Sequence, residues 1–400
     1  MEKLPPQPTI NMGIVGHVDH GKTTLTKYLS SKWTDTHSEE KKRGITIKLG
    51  YTNFTVYEKD GKYNVFEGTP KKKISIVDAP GHEAFMATMI SGAAVMNCAL
   101  LIVAADQKCP QAQTIEHLKT LELAGIKDVV VVQNKVDLVS KEEAIENFKQ
   151  IKEFLKGTIA ENSPIIPISA QHGANIDEIL KAIDENFNEV QKDLDSTPRC
   201  YVVRSFDINK PGESYDKVKG GVLGGSIKQG KFRVGEEIEI KPGIRKLKDG
   251  RENYEPIYAK IEGIKSDKDS LEEAVPGGSI AIMTKLDPVI TKTDSLVGQI
   301  VGPKGTLNDP TYQFTFEDNL FDKVITSQNE YEIKPLHTNE TLMIIVNSLT
   351  TVGVVTQKKG NKTTVKLKKP VMAFPGDRAV VFRRFEGNKW RIIGYGSVSE

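Results

Sequence analysis

Between residues 9 and 190, short apolar runs alternate with longer stretches whose apolar positions recur every three or four residues. Apolar runs bounded by turn residues are the pattern of buried strands, and the 3.6-residue recurrence is that of amphipathic helices. The pattern predicts strands over residues 10–15, 73–78, 100–104, 129–133 and 165–168, and helices over 23–31, 83–93, 112–125, 141–155 and 175–187. Strand and helix in alternation give a mostly parallel sheet covered by helices on both faces. Near residues 196–198 the rhythm changes to short strands between Gly and Pro turns, such as Lys210-Pro211-Gly212, Gly224-Gly225, Lys241-Pro242-Gly243 and Pro276-Gly277-Gly278. A small closed barrel is the expected result there. After residues 302–310 a second strand-rich unit begins, with period-two alternation over 342–346, 363–367 and 380–382. The expected organisation is an α/β domain over 1–197, a β-barrel over 198–304 and another over 305–400.

The chemistry sits where strands meet helices. Gly16-His17-Val18-Asp19-His20-Gly21-Lys22-Thr23 fits GxxxxGKT, between the first predicted strand and the first predicted helix. In such a loop successive backbone N–H groups wrap phosphates, the lysine neutralises them, and the Thr hydroxyl reaches magnesium. Candidate nucleotide contacts are thus Asp19, His20, Gly21, Lys22, Thr23 and Thr24. Asp19 is unusual beside phosphates; it is either a ligand for a second ion or a hydrogen-bond acceptor within the loop. The octet alone leaves ATPases, kinases and GTPases open.

Asn134-Lys135-Val136-Asp137 decides among them. A carboxylate in the base plane accepts from guanine N1 and its exocyclic amine, whereas adenine has no donor at N1; Asp137 therefore selects GTP over ATP. Ser169-Ala170-Gln171 follows the predicted strand 165–168 and can offer a backbone N–H to guanine O6. Asp78-Ala79-Pro80-Gly81 follows strand 73–78, so Asp78 can reach magnesium through a water, and Gly81, lacking a Cβ, can bring its N–H close to a γ-phosphate. Thr46, between these motifs, would place a hydroxyl on magnesium and an N–H on the γ-phosphate, ordering its segment only with triphosphate. His82 stands within reach of a water in line with that phosphate and is the candidate catalytic residue. The metal candidates are Thr23, Thr46, Asp19 and Asp78. All five elements are expected to follow strands.

Composition adds limits. Hydrophobic residues at 38% and charged residues at 27% are those of an ordinary soluble chain. A net charge of +2 supplies no global field, so any nucleic-acid contact must come from local clusters. The three cysteines, Cys98, Cys109 and Cys200, lack CxxC spacing and suit neither a zinc site nor a disulfide framework. The longest apolar run, residues 99–105, is far too short to span a membrane, and the N-terminus lacks a secretory apolar segment. A cytoplasmic protein with no membrane association is expected.

The motifs together with two barrels resemble a translational GTPase of the elongation factor Tu type. Trp33-Thr34, His37-Ser38-Glu39-Glu40, residues 42–51, 84–92 (AFMATMISG), 132–136, Gly157 with Ala160-Glu161-Asn162, 204–212 (RSFDINKPG), 219–226 (KGGVLGGS) and 390–394 narrow this. They resemble the gamma subunit of archaeal and eukaryotic translation initiation factor 2, and the resemblance covers nearly the whole chain. It implies GTP/GDP and Mg2+ as cofactors and partnership with alpha and beta subunits in a heterotrimer. It further implies that the GTP form carries methionylated initiator tRNA to the small ribosomal subunit, hydrolysis releasing it. Lys48, Tyr51, Arg204 and Gly235 become candidate tRNA contacts. The family commonly carries a cysteine-rich zinc knuckle before its DxxG element; residues 57–73 contain no cysteine, and Lys59-Asp60-Gly61-Lys62 reads as a hairpin turn, so no zinc is expected. Residues 341–376 hold no Asp or Glu but six lysines, Lys358, Lys359, Lys362, Lys366, Lys368 and Lys369, which read as either an RNA-binding stripe or a solvated hairpin. Alternative functions are an elongation factor Tu-like aminoacyl-tRNA carrier and the GTPase subunit of a sulfate adenylyltransferase.

Overall fold

The computed structural model describes residues 4–32, 46, 48–82, 85–210, 212, 214, 218–248, 251–325, 330–385 and 389–399. Residues 33–45 and 47, which carry part of the family resemblance, lie outside them, as do residues 83 and 84 of the predicted second helix and Pro211.

The first unit, residues 1–192 with 266–269 and 276–279, is built on one sheet. Its strands are β1 (Ile10–Gly16), β2 (Gly50–Lys59), β3 (Lys62–Asn64), β4 (Thr69–Asp78), β5 (Cys98–Ala104), β6 (Asp128–Asn134) and β7 (Ile165–Pro167), in the order β3-β2-β4-β1-β5-β6-β7. From β4 to β7 neighbours run parallel, and the central strands are buried on both faces, which is why β5 and the 129–132 stretch read as unbroken apolar runs. Truncating a fully buried residue such as Ile102 to alanine would cost about 2–5 kcal/mol.

At one edge the structure departs from the pattern. β2, not predicted, pairs antiparallel with β4, Gly50 opposite Asp78, and extends β4 back to Thr69. Its Thr52, Phe54 and Val56 face the core while Tyr51, Asn53 and Thr55 are half-buried, so the alternation is real but its outer members are polar. Thr46 consequently stands ahead of a strand instead of after one, because the antiparallel edge reverses the direction in which the chain enters the sheet. The β2–β3 turn, Asp60 and Gly61, has both residues at positive φ, as a tight two-residue hairpin requires.

The helices are α1 (Lys22–Ser30), α2 (Met86–Ala93), α3 (Ala112–Leu123), α4 (Lys141–Leu155) and α5 (Ile176–Asn186). α4 begins where predicted because Ser140 and Glu143 form a capping box: Glu143 N donates to Ser140 Oγ (3.2 Å) and Ser140 N to Glu143 Oε2 (2.8 Å).

The second unit holds the rest of the chain. An eight-stranded sheet, running from Arg251–Lys260 at one end to Asp269–Leu271 at the other, wraps Val202, Leu223, Phe232, Ile238 and Val301. Beyond it, strands Thr311–Leu320, Thr341–Val346, Leu349–Lys359, Lys362–Val371, Arg378–Phe385 and Lys389–Ser399 form a closed antiparallel barrel around Phe316, Ile344, Val355 and Val365. Among the described residues only this second sheet closes its hydrogen-bonded circle. No described helix is long and apolar enough to cross a membrane.

Candidate nucleotide-binding site

β1 delivers the chain to the phosphate loop through Gly16, at φ 144°, where a Cβ would stand 2.3 Å from Ile102 O; no other residue fits. Asp19 (φ 61°) and Gly21 (φ 93°) then turn the backbone left-handed, a conformation that gathers successive N–H groups into an anion-binding concavity. α1 follows at Lys22 with no acidic residue in its first turn, leaving its positive end available to an anion. Lys22 is only 6% exposed and arches back over the loop, Nζ donating to His17 O at 2.6 Å. Thr24 lies half-buried on α1, and Asp19 is exposed at the corner of the loop.

The DxxG motif meets this loop. A Cβ on Gly81 would lie 2.4 Å from Lys22 Nζ and 3.0 Å from both Gly16 O and Val18 N, so the missing side chain is what lets the two segments touch. Asp78, fully buried, ends β4 beside β1, and Ala79 N donates to Ile14 O (3.1 Å). Thr23 Oγ1 and Thr46 Oγ1 are 3.2 Å apart. Just beyond Thr46, Leu49 packs where a Cβ on Gly92 of α2 would be, 2.5 Å from Leu49 Cδ2. Two hydroxyls and a carboxylate are hard oxygen donors of the kind magnesium takes, so the residues fit that ion. His82 follows Gly81 half-buried, its ring 5.9 Å from that of Phe85.

At the other end Asn134 joins three motifs. Its Nδ2 donates to His20 O (2.9 Å), its Oδ1 accepts from Ala170 N (3.0 Å), and a Cβ on Gly21 would sit 2.2 Å from Nδ2. Lys135 turns at φ 65° and pairs with Asp106 (3.2 Å). Asp137 is an exposed residue whose side chain is 26% exposed; a hydrogen bond from the buried Ser169 holds its carboxyl below the usual range, and His172 stands 3.6 Å away. An ionised, partly exposed carboxylate is the acceptor that guanine's two donors require. Gln171 is exposed beside it.

A layer of histidines lies beneath the loop; the sequence names His20 as a nucleotide contact but gives no sign that its ring is enclosed, and it does not single out His117. The His20 ring is buried, not turned to the ligand side: Nδ1–H donates to Ile102 O (3.0 Å) and Nε2 lies 3.2 Å from the Gln107 carboxamide. Burial lowers its pKa to about 4, so the ring is neutral at pH 7 and His20 offers a ligand its backbone alone. His17, 5.1 Å from it ring to ring, is also lowered, by burial first and Lys22 second. His117 of α3 accepts from Gly16 N (2.8 Å); only its three-dimensional placement singles it out.

The model of the "Elongation factor Tu GTP binding domain" matches residues 7–189, and that of "Initiation factor eIF2 gamma, C terminal" matches residues 312–398. Translation initiation factor 2 subunit gamma of Methanothermobacter thermautotrophicus is 50% identical, covering 98% of this chain and 99% of that one. The same subunit of Methanocaldococcus jannaschii is 49% identical, with 99% of each chain covered. The chain belongs to the translation initiation factor 2 gamma-subunit family. Solved structures similar to it include elongation factor SelB of Methanococcus maripaludis with the GTP analogue GppNHp, at TM-score 0.74, 25% identity, and coverage of 100% of this chain and 80% of that one. A bacterial selenocysteine-specific elongation factor shares the fold at TM-score 0.76 and 24% identity, over 97% of this chain and 58% of that one. As a gamma-family member with this domain, the protein is a GTP-dependent initiation factor subunit and a GTPase.

The residues that the gamma-subunit resemblance assigns to tRNA divide between the units. In the first, Lys48 and Tyr51 are half-buried, Tyr51 opposite Val77 at the β2 edge. In the second, Arg204 Nε donates to Asp294 Oδ1 (2.9 Å), and Gly235 is an exposed turn residue at φ 93°. Lys59-Asp60-Gly61-Lys62 forms the predicted turn, joining β2 to β3, and Asn64 Oδ1 accepts from Phe66 N and Glu67 N just beyond it. The barrel lysines are of two kinds. Lys358 pairs with Asp318, whose side chain is 7% exposed, whereas Lys362, 3.8 Å from Glu317, and Lys359, Lys366, Lys368 and Lys369 are exposed.

Proposed function

We propose that the protein works as a switch that takes up initiator methionyl-tRNA in its GTP form and releases it at the small ribosomal subunit after hydrolysis. The observation that carries this is the seating of Gly81 against Lys22 Nζ and the phosphate-loop backbone, since a terminal phosphate engaged there would join both segments and its loss would part them. Residues 1–197, 198–304 and 305–400 act as the three domains. In the first, Asp19, His20, Gly21, Lys22, Thr23 and Thr24 hold phosphates, and Thr46 and Gly81 respond to the terminal one. Asn134, Lys135, Asp137, Ser169, Ala170 and Gln171 form the guanine side. Thr23, Thr46 and Asp78, with Asp19 for a second ion, would hold Mg2+, which when bound neutralises phosphate charge. No structural zinc is needed.

His82 orients the attacking water, and phosphoryl transfer asks little more of the protein than positioning and charge. The intrinsic rate is slow. The tRNA contacts proposed are Lys48, Tyr51, Arg204 and Gly235, with the exposed barrel lysines adding RNA phosphate contacts. The protein acts in the cytoplasm with alpha and beta sister subunits.

The test is GTP-dependent binding of initiator tRNA by the reconstituted heterotrimer. Strong preference for the GTP form and for initiator tRNA is expected; equal affinity for elongator tRNAs would instead indicate an elongation factor. His82→Ala should slow single-turnover GTP cleavage about a hundredfold while leaving GTP affinity nearly intact. An unaltered rate would remove His82 from the mechanism.

A further inference from the structure

One fully buried titratable side chain reaches the phosphate loop from outside the motifs. His117 lies on α3, a hundred and one positions from Gly16, and its Nδ1 accepts the Gly16 N–H at 2.8 Å. A ring nitrogen that accepts is unprotonated, so the proton is on Nε2, which has no hydrogen-bond partner among the described residues. Leaving that N–H unsatisfied is a cost that a leucine at position 117 would avoid while filling similar space. What the imidazole supplies, and leucine could not, is an acceptor at Gly16.

Gly16 is where such an acceptor matters. Its φ of 144° and the 2.3 Å approach of a notional Cβ to Ile102 O fix one side of the residue. Its carbonyl faces Gly81, whose notional Cβ stands 3.0 Å from Gly16 O. The N–H is its remaining polar group, and the direction of this peptide sets where the amides beyond it point.

We propose that His117 is a positioning residue for nucleotide binding: a neutral acceptor that pins the Gly16 amide and thereby aims the phosphate-wrapping N–H groups that follow. Burial, and secondarily the charge of Lys22, hold its pKa well below the ordinary histidine value, so the acceptor persists at physiological pH. The inference rests on the reading of this loop as the phosphate site. His117 touches no phosphate; it acts through Gly16.

The test is equilibrium titration of the full chain with fluorescent GDP and GTP, with dissociation rates and thermal melting alongside. His117→Ala leaves a buried amide unpaired and is expected to weaken GDP and GTP by the same factor, about tenfold, with faster release of both. His117→Asn puts Oδ1 where Nδ1 was and should restore affinity to within about threefold of wild type. Leu121→Ala, a packing change at a fully buried position of the same helix, should lower the melting temperature without changing affinity. Wild-type affinity in His117→Ala overturns the proposal, as does equal weakening in His117→Asn or in Leu121→Ala. If the wild-type chain bound neither guanine nucleotide, the phosphate-site reading itself would fail; in the other adverse outcomes only the anchor does.

Discussion

The nucleotide domain buries the polar groups that brace its motifs to one another, whereas the C-terminal barrel keeps five of the six stripe lysines exposed. The side chains of His20, Asn134, Ser169 and His117 are almost wholly enclosed, and each is tied to a backbone atom: Ile102 O, His20 O, His172 N and Gly16 N. In the barrel the enclosed positions are mostly apolar, Phe316, Ile344, Val355 and Val365 among them, with Thr363 and Arg391 among the polar exceptions, and the exposed strand positions carry Lys359, Lys366 and Lys368. A buried donor must have one particular partner, so it dictates geometry; an exposed ammonium acts through a screened field and dictates little. Function in the first region should therefore respond to single atoms, and in the second to summed charge and salt.

That contrast orders the expected effects. Gly81→Ala, whose Cβ would stand 2.4 Å from Lys22 Nζ, should reduce GTP hydrolysis about a hundredfold or more, with GDP affinity little changed. Single-turnover cleavage and GDP titration measure both, and equal loss of both nucleotides would mean the contact is not specific to the terminal phosphate. Asn134→Ala removes the link between the His20 and Ala170 peptides and should weaken guanine nucleotides about tenfold to a hundredfold by fluorescence titration.

Within the barrel, Lys358→Ala leaves Asp318 buried with Thr363 Oγ1 still donating, and should cost about 1–3 kcal/mol of stability in a denaturant melt. It should leave RNA affinity unchanged, since that charge is already neutralised. Lys366→Glu combined with Lys368→Glu should do the reverse. Stability should stay within about 0.5 kcal/mol, while the salt dependence of RNA binding becomes shallower by about 0.7 to 0.9 per lysine. A slope that ignored Lys366 and Lys368 but followed Lys358 would invert the assignment.

The same difference governs what could be read from the chain. The phosphate loop, DxxG, Asn134–Asp137 and the Ser169 segment were legible because each couples residue types to a fixed local spacing at a strand end. α4 was legible because its cap and its periodicity agree. β2 was not, since an antiparallel edge strand with Tyr51, Asn53 and Thr55 outward has no apolar run, and missing it also misplaced Thr46 relative to the sheet. His117 and Gln107 could not be found by spacing, for their partners Gly16 and His20 are brought to them only by the fold. The lysine stripe was visible as composition, but strand pairing brings Asp318, forty positions away, to Lys358 and so takes one of the six lysines out of it.

We propose that Asp137, ionised and oriented by Ser169, selects guanine for the phosphate loop that Asn134 braces. Parallel titration of the wild-type chain and Asp137→Asn with GTP and with ATP tests it most directly. A wild-type preference for GTP of about ten-thousandfold is predicted, because a site built for two base donors is left unpaired by adenine; in Asp137→Asn it should shrink at least about a hundredfold. An identical preference in both proteins, or wild-type binding of ATP as tight as that of GTP, would contradict the account.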